Sequence, residues 1–111
     1  MEACAVSGDL VGWIAADQEI HRQIFRMCGN RWVWKLLHQM ESLVGRVRHI
    51  SLRRPGRLTE STKEHRMVVD AIKSRAPDLA HQAMHAHLVQ TEEILISILE
   101  TFVVPLKGER F

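Results

Sequence analysis

At 111 residues, 46% apolar and 25% charged, the chain is long enough for one buried core and too apolar to stay disordered. Its net charge of +2, with Lys and Arg interleaved among Asp and Glu, argues against a nucleic-acid surface on this chain. Two cysteines without CxxC spacing argue against a disulfide framework or a cysteine zinc site and fit a reducing cytoplasm, and no apolar run is long enough to span a membrane.

The hydrophobic spacing predicts helices throughout. A first helix starts at Asp9, a good N-cap, and runs to Cys28, where Gly29 offers a stop. A second opens at Asn30, another cap, and carries Val33, Leu36, Leu37, Met40, Leu43, Val44, Val47 and Ile50 in helical period as far as Pro55-Gly56. Beside that breaker pair the run Arg53, Arg54, Arg57 reads as a solvated loop. A third helix begins near Thr59 or Ser61, with Glu64 in position for a capping interaction, and a fourth starts at Pro77 and continues towards Pro105. Short connections between such helices predict an all-α fold, an antiparallel helical bundle of about four long helices forming one domain over residues 1–111.

Polar residues interrupt the apolar stripes. In the first helix the stripe is Leu10, Trp13, Ile14, Ile24, Phe25 and Cys28, and Asp17 and His21 fall inside it, one turn apart on one face. His65 lies on the stripe of Val68, Val69 and Ile72, and His87 on that of Ala83, Met84 and Ile94. His38, His49, His81 and His85 fall on more polar sides. An inward carboxylate without a partner is costly. One divalent cation satisfies Asp17, His21, His65 and His87 together, and imidazole with carboxylate suits zinc, nickel, manganese, iron or cobalt. The plainer readings are satisfied core histidines and a simple Asp17–His21 pair within one helix; the spacing alone leaves both open.

The same residues carry a resemblance. Asp17-Gln18-Glu19-Ile20-His21, then Cys28-Gly29-Asn30, Glu64-His65-Arg66 leading into Val69-Asp70-Ala71-Ile72, Pro77-Asp78-Leu79-Ala80, and Ala83-Met84-His85-Ala86-His87-Leu88 occur in an order that resembles the FCD effector-binding domain of GntR-type transcription regulators of the FadR subfamily. The resemblance implies a helical bundle, one metal on Asp17, His21, His65 and His87, a small organic acid bound at that metal, and a homodimer. It also implies that DNA is contacted only through a separate winged-helix domain. That domain and the opening helices of the effector domain are not seen in the sequence, so the chain reads as truncated, and an incomplete bundle favours pairing with a second copy.

A metal-bound acid wants a second anchor, and arginine matches a carboxylate bidentately. Arg46 and Arg48 flank the stripe of the second helix and are the candidates, with Asn30 as a further ligand contact where capping is the simpler explanation. Trp13, Trp32 and Trp34 are candidates for core or interface packing, or for the cavity wall. The rival functions are a metal-dependent hydrolase and a structural zinc that staples a dimer. Hydrolysis wants a general base beside the metal, and the stripes offer no inward Glu or extra His for it, which favours sensing without chemistry.

Overall fold

The computed structural model describes residues 1–110, with side chains described as far as Thr101. Among the described residues there are five helices and no strand: α1 (Glu2–Ser7), α2 (Leu10–Met27), α3 (Arg31–Ser51), α4 (Arg57–Lys73) and α5 (Pro77–Arg110). The all-α expectation holds. The chain forms two compact units, Met1–His49 and the part beginning at Ile50.

In the first unit, Asp9 caps α2 as expected, its side chain accepting from the Gly12 amide. The short α1, which the sequence reading did not include, ends at Gly8 with φ 77°, a left-handed stop that glycine takes without strain. α2 and α3 run antiparallel. Asp17 pairs with Arg48, Arg22 with Glu41, and the Arg26 guanidinium lies 5.6 Å from the Trp34 ring centroid, so partners descend along α3 as they ascend along α2. Trp13 is the buried apolar residue of α2.

The apolar stripe of α3 divides: Leu37, Val44, Val47 and Ile50 are half-buried and the rest lie open. Val33, Leu36, Met40 and Leu43 are 40–58% exposed, and Trp32 is 72% exposed. Cys28, placed on the inward stripe of the first helix, is also exposed. Periodicity identifies an apolar face and cannot say what covers it.

In the second unit α4 and α5 form an antiparallel hairpin, since Arg57 meets Thr91 while Glu64 meets His87. Pro77 opens α5, where its missing N–H costs nothing. Val68, Ala71 and Ile94 are its buried apolar residues. Two expectations are corrected here. α4 starts at Arg57 rather than at Thr59 or Ser61, and Arg57 is 1% exposed rather than a loop cation. Glu64 does not cap the helix; its carboxylate binds the Arg57 guanidinium and the His87 ring. α5 also continues beyond Pro105, where the sequence reading ended it.

Candidate metal centre

Each unit contributes a pair of the residues singled out by the stripe argument. In the first unit Asp17 and His21 are both 3% exposed, and His21 Nε2 lies 3.3 Å from Asp17 Oδ1. That spacing serves an ion pair. It also suits two ligands of one ion, since atoms about 2.1 Å from a shared metal at tetrahedral or octahedral angles stand about 3.0–3.4 Å apart. The second carboxylate oxygen, Oδ2, is held by Arg48 Nε at 2.8 Å. Asp17 thus presents one oxygen to His21 and the other to an arginine.

Of the candidate effector contacts, Arg48 is brought to Asp17 and the other two are not. Arg46 is exposed on α3. The Asn30 side chain is used as the helix cap, its Oδ1 accepting from the Trp32 and Val33 amides. A crevice between α2 and α3, walled by His21, Phe25, Trp34 and Arg48, holds about 30 Å³, room for a water or two and too little for an organic acid. Trp34 therefore takes the cavity-wall role and Trp13 the core role, while Trp32 remains on the surface.

In the second unit the His65 and His87 rings are buried and meet edge-to-face, with centroids 4.4 Å apart. His65 Nδ1 is 2.6 Å from the Ser61 carbonyl oxygen. A carbonyl only accepts, so Nδ1 carries a proton, and in the neutral tautomer this contact selects the lone pair falls on Nε2. His87 Nδ1 is 2.7 Å from Glu64 Oε1. Glu64 is gripped from its other side by Arg57, with Nη1 at 2.8 Å from Oε2 and Nη2 at 2.9 Å from Oε1. Burial pushes the Glu64 carboxyl pKa up, but hydrogen bonds from Arg57 and His87 and the charge of Arg57 hold it below its ordinary value. An ionised Glu64 can only accept, so His87 likewise carries its proton on Nδ1.

A metal-binding imidazole needs this arrangement, with one nitrogen donating to a fixed acceptor and the other offered to the ion. Each pair by its chemistry, two preset imidazoles in the second unit and a buried imidazole with a buried carboxylate in the first, suits a divalent transition metal. The remaining histidines are exposed, His38, His49, His81 and His85 among them.

Sequence reasoning overlooked Arg57 and Glu64. A usable signal existed, because the two residues are seven apart and so share a helix face, and Glu64 immediately precedes His65. The expectation that no inward glutamate adjoins the candidate ligands is thereby corrected. Glu64 touches His87, yet its bidentate bond to Arg57 and its lowered pKa make it a poor proton acceptor at neutral pH.

The chain belongs to the FCD domain family, whose model matches residues 1–90. This is the effector-binding domain of GntR-type transcription regulators, and the match spans every candidate ligand. No curated protein and no solved structure matches the chain significantly. Among the described residues no helix is long and apolar enough to cross a membrane.

Proposed function

We propose that the chain is the metal-dependent, effector-sensing and dimerising part of a FadR-type regulator. One divalent ion, with zinc, nickel or manganese the best suited, is held by Asp17 and His21 of α2, His65 of α4 and His87 of α5. A small organic acid binds at that ion. The observation that carries this reading is the preset state of the two hairpin histidines, each with Nδ1 engaged by an acceptor, so that the neutral ring would ligate through Nε2.

Three neutral imidazoles and one carboxylate leave a divalent ion with about one net positive charge, and Arg48 beside Asp17 adds another. Such a centre attracts a carboxylate, and Arg48 is the anchor the reading retains; Arg46 and Asn30 are left out of it. The carboxylate beside His87, Glu64, is held at both oxygens by Arg57, which favours binding without catalysis. A homodimer is supported by the exposed line Val33, Leu36, Met40 and Leu43, whose three- and four-residue spacing is that of a helix–helix seam. DNA contact is assigned to a separate winged-helix domain.

The test is elemental analysis of the purified chain beside a His65→Ala, His87→Ala double variant. About one metal per chain in the parent, lost in the variant, supports the reading and leads to a thermal-shift screen of small carboxylic acids. No metal in the parent after exposure to zinc, nickel and manganese reduces the four residues to a polar network, and the family then bears on the fold alone.

A further inference from the structure

His65 and His87 are preset in different ways. His65 uses a local device, the Ser61 carbonyl one turn back on its own helix. His87 depends on a side chain from another helix, and that side chain is itself clamped. The Arg57 guanidinium holds Glu64 by two bonds and also donates to Thr91 Oγ1 at 2.9 Å. The Thr91 hydroxyl donates in turn to the His87 carbonyl at 3.0 Å. One buried guanidinium is therefore tied to the acceptor of the His87 ring and to the backbone that carries the ring.

We propose that Glu64, clamped by Arg57, is the positioning residue for His87: it selects the Nδ1–H tautomer and orients the ring so that Nε2 is delivered as a metal ligand. This rests on the metal reading above. Without a fixed acceptor at Nδ1 a neutral imidazole divides between two tautomers, and only one of them offers Nε2. Arg57 supplies the rigidity, because a planar fork gripping both carboxylate oxygens stops the acceptor from rotating away. His65, with its own backbone acceptor, is independent of this relay.

The experiment uses the full chain, metal-free, with long-range proton–nitrogen NMR spectra reading the tautomer of each histidine at a pH where imidazole is neutral, followed by zinc titration by calorimetry. In the parent, His87 is expected as the Nδ1–H form, and a parent His87 in the Nε2–H form overturns the inference without any variant. In Glu64→Gln, His87 is expected to become a tautomer mixture while His65 keeps its form, and zinc affinity to fall about 10- to 100-fold. Arg57→Lys, which keeps the charge but loses the fork, is expected to give the same change to a smaller degree and serves if Glu64→Gln fails to fold. A folded variant that is merely less heat-stable, with the His87 tautomer and zinc affinity unchanged, assigns Glu64 a structural role and overturns the proposal. Absence of zinc binding by the parent itself overturns the metal reading and this inference with it, whereas parental binding with an indifferent variant overturns this inference alone.

Discussion

The two units hold their polar residues in contrasting ways. In the first, Asp17 and His21 sit on α2 and the neighbouring helix contributes arginine and glutamate through long side chains, Arg48 to Asp17 and Arg22 to Glu41. α3 keeps much of its apolar face in water. In the second, a guanidinium that is almost wholly buried joins α4 to α5 through Glu64, Thr91 and His87. Buried groups of this kind gain in Coulomb energy and lose in solvation, so their worth depends on every partner being present. Surface pairs tolerate loss because water replaces the missing partner. The hairpin should therefore be brittle towards single substitutions in its polar network, and the open Arg22–Glu41 pair of the α2–α3 unit forgiving.

The sharpest way to break the contrast is Arg57→Ala. It strands Glu64 beside His87, and the expected loss is about 3 kcal/mol, at the lower end for a broken buried pair because Glu64 is partly open to water. Chemical denaturation measures it; a loss under 1 kcal/mol, the range of an exposed pair, would remove the distinction between the units.

Metal addition is next in size. If both pairs serve one ion, zinc at 100 times its dissociation constant should stabilise the parent by about 2.7 kcal/mol and leave the His65→Ala, His87→Ala variant where it was. Differential scanning calorimetry with and without a chelator reads both.

In the first unit, Asn30→Ala removes the cap that accepts from the Trp32 and Val33 amides, and should cost about 1 kcal/mol with zinc affinity unchanged. A marked loss of zinc or acid binding in that variant would return Asn30 to the site.

The smallest effect concerns Glu41. The hydrogen bond from Arg22 lowers its pKa, burial opposes this, and the charges of Arg22, His38 and Arg48 add to the lowering from the ordinary value of 4.5. A lowered folded-state pKa contributes stability that is present above 4.5 and is lost as pH falls from there through the folded value. Glu41→Gln should accordingly lower stability slightly near neutrality, by about 0.2–1 kcal/mol, and leave it unchanged at acidic pH, so that the acid limb of the profile flattens. Urea melts at a series of acidic pH values would show a parallel pair of curves if the Arg22 pair contributes nothing.

Helix periodicity, the Asp9 and Asn30 caps, the Gly29 stop and the opening Pro77 are local signals, and the helices they mark are present because backbone geometry and capping act within a few residues. The inward placement of Asp17, His21, His65 and His87 was legible for the same reason, since a residue's angular position on a helix follows from counting. The chain by itself thus determined which faces are apolar and which titratable residues share them. What it left open was decided by partners from other helices. Arg57 beside a proline and glycine looks like a loop cation until α5 supplies Thr91 and His87. Glu64 looks like a cap until Arg57 takes it. Arg46 and Arg48 are equivalent on paper, and α2 selects Arg48 because only that register reaches Asp17. Whether the apolar face of α3 is covered is likewise a tertiary property, for periodicity marks a face and packing alone assigns its neighbour.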